Sequence, residues 1–216
     1  MQIKKFKHLK TLIFNMEDKL SQKEAKRLMK IPGNVKGSVI LADINYVRIK
    51  GGEEAVEKLK KRMKEVGIEF DLEKVKPMEM YPEAISVIIV LLTKEILGLD
   101  EKGVFEMGKA AVKLSFFIKI LTRYFVSPKR CFEESPRYWA KHFDFGELEA
   151  VEFNEIEKYV VIRIKGYKFH PIMCQYHRGY FSEIARLALG NKEVSVEETK
   201  CMFRNDPYHE YVISWQ

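Results

Sequence analysis

Apolar positions in the first hundred residues recur at helical spacing and are interrupted by residues that start or end helices. Ser21-x-x-Glu24 is a capping box, which predicts a helix that begins at this point. A second helix is predicted over residues 53–66, because Gly67 is a favourable C-terminal cap. A third is predicted over residues 82–97. The N-terminal half is therefore largely helical.

Residues 38–49 depart from this helical pattern. They are rich in β-branched side chains and favour a strand or an extended arm. Gly51-Gly52 then interrupts the chain. We therefore predict two units: residues 1–50 as an N-terminal extension or dimerisation arm, and residues 51–216 as a ligand-binding domain.

The longest helix is predicted over residues 101–125, with Asp100 as its N-cap. A broad apolar stripe along it indicates that most of its surface is buried. The stripe consists of Val104, Ala111, Leu114, Phe117, Ile118 and Leu121. Two Ser-Pro pairs follow, at Ser127 and Ser135, and each predicts a helix start.

Apolar and polar residues alternate over residues 147–153 and 158–165, which indicates a β-hairpin. A helix is predicted over residues 172–189, followed by two more strands separated by a turn. Together these elements predict an α+β fold, in which a helical bundle packs on a four-stranded antiparallel sheet and an N-terminal extension precedes them.

Composition changes this prediction little. The chain of 216 residues has a formal net charge of +7, but its Lys and Arg residues are interleaved with Glu along the chain. This distribution is typical of a solvated surface, so nucleic-acid binding is disfavoured. No apolar run reaches the ~20 residues of a membrane span. The three cysteines and the absence of a signal-like N-terminus predict a cytoplasmic protein with reduced thiols.

Chemically reactive residues gather in the last third of the chain. Cys174 lies at the start of the helix over residues 172–189, Glu198 and Cys201 follow on a strand, and His209 comes after a turn. Thiolate, imidazole and carboxylate are ligands that Zn²⁺ accepts, so these four residues are candidates for a structural zinc site. Glu198 and Cys201 would face opposite sides of a regular strand, which leaves Glu197 as an alternative unless a bulge intervenes. The other interpretation is that both cysteines are ordinary core residues.

This stretch resembles the 4-vinyl reductase domain family, through Cys174, the pair Gly179-Tyr180, and Glu198-Thr199-x-Cys201. His209 stands where the family pattern has a further Cys. The resemblance implies a ligand-binding fold shared with haem nitric-oxide sensors and with the Bet subunit of the TRAPP complex. It also implies a regulatory role, and zinc ligation at these same four positions.

Aromatic residues are dense on the long helix and in the segment after it. They predict either a filled core or an apolar pocket with a few polar anchors, for which His142, His170 and Tyr180 are candidates. The residues expected to line the pocket are Phe117, Tyr124, Trp139, Phe143, Phe153 and Tyr180, with Phe116 and Phe125 beside them.

No nucleotide-binding or hydrolase motif occurs in the chain, so enzymatic chemistry is disfavoured. The sequence predicts a cytosolic sensor or regulatory protein that binds a small hydrophobic or aromatic ligand and forms a homodimer. Two alternatives stay open. One is a protein-interaction or dimerisation module with a filled core, and the other is an accessory subunit acting on a tetrapyrrole vinyl group.

Overall fold

A computed structural model of the protein describes residues 19–114 and 127–216. Within these ranges the α-helices are α1 Gln22–Met29, α2 Gly37–Glu65, α3 Glu83–Leu97, α4 Glu101–Leu114, α5 Pro128–His142 and α6 Ile172–Ala188. The strands are β1 Asn34–Lys36, β2 Met80–Pro82, β3 Glu147–Asn154, β4 Tyr159–Lys165, β5 Val194–Lys200 and β6 His209–Trp215. Single 3₁₀ turns cover Leu72–Lys74 and Met202–Arg204.

Short polar side chains start several helices, as the sequence predicts. The Ser21 hydroxyl accepts a hydrogen bond from the Glu24 backbone N–H at 3.2 Å, which confirms the capping box. Asp100 accepts from the N–H of Gly103 at 2.7 Å. Each bond satisfies a backbone donor that has no partner within its own helix. The predicted continuation of α4 to residue 125 lies outside the described residues.

Residues 38–49 form the first half of α2 and are not a strand. Ile40, Ile44 and Val47 are buried and recur at the i, i+4, i+7 spacing of one helical face. Burial of this face outweighs the modest preference of β-branched residues for strands. Gly52, at φ 68°, interrupts the helix. The predicted domain boundary at residue 50 falls beside this kink and remains a prediction.

The second Ser-Pro pair does not begin a new helix, because Pro136 lies inside α5. A proline there cannot donate to the carbonyl of Phe132, four residues earlier. The Ser135 hydroxyl donates to that carbonyl at 2.7 Å instead. The first pair does start the helix, since the Ser127 hydroxyl accepts from the N–H of Arg130 at 3.2 Å.

The four-stranded antiparallel sheet predicted from the sequence is confirmed, with the order β3-β4-β6-β5. A separate two-stranded ladder joins β1 to β2. Buried residues alternate along β4, at Val160, Ile162 and Ile164, because this central strand turns one face toward the helices. The fold is therefore α+β.

Helices α4 and α6 pack at very short range. A Cβ atom placed on Gly108 would lie 2.0 Å from the carbonyl oxygen of Tyr176, and one placed on Gly179 would lie 1.9 Å from that of Phe105. The two backbones thus touch through a reciprocal pair of glycines. In the described part of the chain, no helix is both long and apolar enough to cross a membrane.

Candidate functional site

An apolar cavity of about 180 Å³ lies between the helices and the inner face of the sheet. Its described lining comes from helices α2 to α6 and from strands β3, β4 and β6. Of the residues predicted to form a ligand pocket, the structure places Trp139, Phe143, Phe153 and Tyr180 on this lining. Phe117 and Tyr124, together with Phe116 and Phe125, lie outside the described residues.

Aromatic rings form one wall of the cavity. Trp139 and Phe143 stack with their ring centroids 4.1 Å apart, and the Trp139 indole N–H donates to the carbonyl oxygen of Phe145 at 3.3 Å. The His177 ring packs against Tyr167 with a centroid distance of 4.7 Å. Burial lowers the pKa of His177 to about 3, so this wall carries a neutral imidazole.

The proposed polar anchors separate into two groups. His142 and Tyr180 line the cavity. His170 is buried elsewhere, where its Nδ1 accepts from the backbone N–H of Ile172 at 3.1 Å. Burial lowers the pKa of His170 to about 4.

The structure adds two buried acidic residues that the sequence interpretation missed. Glu83 is 1% exposed and lines the cavity, and Asp43 is fully buried behind it. The Tyr167 hydroxyl donates to Glu83 Oε1. Asp43 accepts from the Tyr176 hydroxyl at 2.7 Å and from the Ser86 hydroxyl at 2.8 Å. Both acids are isolated within apolar runs of the sequence, and that isolation is the signal that could have identified them.

Burial controls the protonation of both carboxyl groups. It raises the pKa of Glu83 to about 8, against the opposing effect of the Tyr167 hydrogen bond and with a further increase from the charge of Asp43. Burial likewise raises the pKa of Asp43 to about 7, although hydrogen bonds from Tyr176 and Ser86 oppose it. Burial thus favours the neutral form of Glu83 and of Asp43, and the hydrogen bonds that each carboxyl group accepts favour its ionised form.

A second cluster joins α6 to the sheet. Cys174, Glu198, Cys201 and His209 each present one donor atom, and these atoms all lie within 4.8 Å of one another. By geometry alone the set could hold a metal ion. The predicted bulge is present, since the register of β5 against β6 shifts between Glu198 and Lys200. It brings Glu198 to the cluster, while Glu197 stays exposed.

The four side chains of this thiol cluster bond one another. The Sγ atoms of Cys174 and Cys201 are 3.6 Å apart, and His209 Nδ1 lies 3.0 Å from Glu198 Oε1. The hydrogen bond with Cys174 lowers the pKa of Cys201, and that of Cys174 is raised by the same contact. Burial lowers the pKa of His209, but hydrogen bonds with Cys201 and Glu198 outweigh burial and raise it overall. These contacts therefore favour ionisation of Cys201 and protonation of His209.

Tyr167 contacts both of these regions. Its hydroxyl donates to Glu83 beside the cavity, and its backbone carbonyl oxygen lies 2.9 Å from His209 Nε2 in the thiol cluster. Because a carbonyl can only accept, Nε2 of His209 carries a hydrogen. A single residue therefore connects the cavity with the cluster.

The chain matches no protein-family model and no curated protein, but solved structures share its fold. An H-NOX protein from S. oneidensis in the Fe(II)NO ligation state has a TM-score of 0.65 at 13% identity, covering 84% of this chain and 99% of that one. A structure from work on haem distortion in the H-NOX family gives 0.60 at 17% identity, over 84% and 95%. An oxygen-binding H-NOX domain related to soluble guanylate cyclases gives 0.57 at 17%, also over 84% and 95%.

These comparisons correct the family and cofactor predictions. The similar structures are H-NOX domains, which form a different family, so the predicted membership of the 4-vinyl reductase family is wrong. The TRAPP Bet-like architecture is not confirmed. The prediction of a structural zinc is wrong as well, because H-NOX domains hold haem iron. In this chain the four predicted ligands satisfy one another by hydrogen bonds. At such identities the likeness shows a shared α+β fold.

Proposed function

We propose that this chain is a regulatory ligand-binding module that takes a small hydrophobic molecule into the cavity between its helices and its sheet. The observation that carries the proposal is the cavity itself, because the surface of its described lining is mainly apolar and comes largely from aromatic and aliphatic side chains. Ligand sites are typically apolar concavities with a small number of polar groups that orient the ligand. The similarity to H-NOX sensor domains supports a role in sensing.

The volume of the cavity limits the size of its ligand. An engineered apolar cavity of ~150 Å³ accommodates benzene. A cavity of about 180 Å³ therefore suits a molecule with one aromatic ring or a short branched chain. The same limit gives no support to the alternative of an accessory subunit that acts on a tetrapyrrole.

Haem, which the similar structures hold, does not match the residues present here. A tetrapyrrole needs far more room than a single ring, and its propionate carboxylates need cationic or strongly donating partners. No Lys or Arg occurs among the described lining residues, whereas Glu83 adds an acidic group. The one histidine packed tightly among the rings, His177, already fills its space against Tyr167 and Phe181. The described residues therefore do not form a haem site.

Toluene binding tests the proposed function. At a hundredfold excess over its dissociation constant, a ligand stabilises the folded state by about 2.7 kcal/mol. For a chain of this size that corresponds to a rise in melting temperature of about 5 to 10 °C. Ala111→Phe should abolish the rise, because Ala111 lines the cavity and the added ring occupies it.

Ala140→Phe is the matched control, because Ala140 is exposed on α5 and should leave the toluene effect unchanged. A chain that gains no stability from toluene or from other one-ring compounds would contradict the proposal and favour a filled core that serves protein interaction. The homodimer predicted from the sequence is a separate proposal, which light scattering on the purified chain would decide.

A further inference from the structure

Glu83 is the one cavity-lining carboxyl group in the described part of the chain, and only half of it is satisfied. Its Oε1 accepts from the Tyr167 hydroxyl, but its buried Oε2 has no hydrogen-bond partner among the described residues. A buried acceptor without a donor costs free energy, and a buried carboxylate without a counter-charge costs more. A ligand that brings a donor to Oε2 would remove this cost.

The neighbouring carboxyl group, that of Asp43, has a hydrogen-bond donor for each of its oxygens. Asp43 receives one hydroxyl on each oxygen, from Tyr176 and from Ser86. These donors are neutral, so they supply hydrogen bonds without a positive charge. The described cavity lining has no Lys or Arg. Glu83 on the cavity wall and Asp43 behind it thus have no Lys or Arg among the described lining residues to balance them.

The rest of the lining favours a cation as well. The faces of aromatic rings carry a partial negative charge and attract ammonium groups, most strongly at desolvated sites. Trp139, Tyr180 and Phe181 all line the cavity. A carboxylate ligand would gain neither contact, since its oxygens cannot donate to Glu83 Oε2 and the ring faces would repel it.

We propose that the ligand of this cavity is a small aromatic amine in its protonated form, whose ammonium group donates a hydrogen bond to Glu83 Oε2 while its ring occupies the apolar space. The inference rests on the proposed function, because it assumes that the cavity binds a small molecule. It adds the chemical class of that molecule and assigns Glu83 as the residue that determines specificity.

Calorimetry with four probes of nearly equal size tests this inference on the wild-type chain: toluene, benzyl alcohol, benzylamine and phenylacetate. Hydrogen bonds to charged groups are strong enough that benzylamine should bind about tenfold to a hundredfold more tightly than toluene. Benzyl alcohol should lie between them, and phenylacetate should bind most weakly. Benzylamine binding no more tightly than toluene or benzyl alcohol would overturn the role of the ammonium group while leaving the proposed function intact.

The variant Glu83→Gln should bind toluene as the wild type does and lose the preference for benzylamine. Glu183→Gln is the control, because Glu183 is also fully buried but pairs with Arg186 and is not among the cavity-lining residues. It should keep the preference. Retention of the preference in Glu83→Gln would overturn the assignment of Glu83. Failure of all four probes to bind the wild type would instead overturn the proposed function, and the inference with it.

Discussion

The variant Gly179→Ala tests the contact between α4 and α6, which builds one wall of the cavity. The added methyl carbon would lie 1.9 Å from the carbonyl oxygen of Phe105, where ordinary contact begins at 3.4 Å. The two helices must therefore move apart by about 1.5 Å at this point. The obstacle is backbone, so no change of side-chain rotamer can relieve the clash.

The magnitude follows from two opposing effects. Overpacking of a core costs ~1 to 3 kcal/mol, and a rigid backbone obstacle places this case at the upper end. Replacing Gly by Ala inside a helix returns about 1 kcal/mol through backbone entropy and helix propensity. The variant should therefore lose about 2 kcal/mol of unfolding free energy, or about 4 to 8 °C in melting temperature.

Urea unfolding followed by circular dichroism measures this loss. Gly103→Ala is the matched control on α4, because the nearest atoms to its added methyl belong to the Leu99 and Asp100 side chains and not to the backbone of another helix. It should stay within about 1 kcal/mol of the wild type, since the gain in helix propensity offsets a shift of about 0.5 Å away from Leu99 Cβ, which would lie 2.9 Å from the added methyl. A Gly179→Ala protein as stable as the wild type would refute the close approach of the two helices.

Two further predictions concern the buried polar groups. The pKa of Glu83 is about 8 in the folded protein, against the usual 4.5 in the unfolded chain. Between these pH values Glu83 is protonated in the folded protein and ionised in the unfolded chain, so the free energy of unfolding falls as the pH rises, and the loss is complete above pH 8. Urea unfolding between pH 4.5 and 8 should show that this group lowers the unfolding free energy by about 1.4 kcal/mol per pH unit. Glu83→Gln should lack this loss, and an equal dependence of unfolding free energy on pH in the two proteins would contradict the assignment. The oxidant diamide should take two hydrogens and join Cys174 to Cys201, whose Sγ atoms are 3.6 Å apart, and Cys201→Ser should prevent this. Thiol titration that shows Cys131 as the oxidised residue would count against it.

Local signals in the sequence predicted most of the fold. The caps at Ser21, Asp100 and Ser127 depend on side-chain bonds to residues three positions away, so they can be recognised without knowledge of the tertiary structure. The helix over residues 38–49 could not be recognised by composition, because its β-branched residues favour strands until their common face is buried by other helices. Pro136 was misinterpreted for a similar reason, since the compensating bond comes from a neighbouring hydroxyl.

The candidate site was predicted less completely. The convergence of Cys174, Glu198, Cys201 and His209 followed from their spacing and residue types, but the structural zinc inferred from that convergence was wrong. Glu83 was missed because a glutamate in the first turn of a helix normally has an unremarkable, exposed role. Its hydrogen-bond partner is Tyr167, which lies 84 residues later in the chain, so only the apolar run around Glu83 could have indicated its burial.

The two contacts made by Tyr167 have a thermodynamic consequence. Its hydroxyl bonds to Glu83 and its carbonyl oxygen accepts from His209, so the cavity and the thiol cluster share one residue. A ligand that displaces Tyr167 through its bond to Glu83 would also displace the carbonyl oxygen to which His209 donates. Linkage is reciprocal: the factor by which such a ligand alters the equilibrium between thiols and disulfide equals the factor by which that equilibrium alters ligand affinity. The affinity of the cavity would then depend on the oxidation state of Cys174 and Cys201.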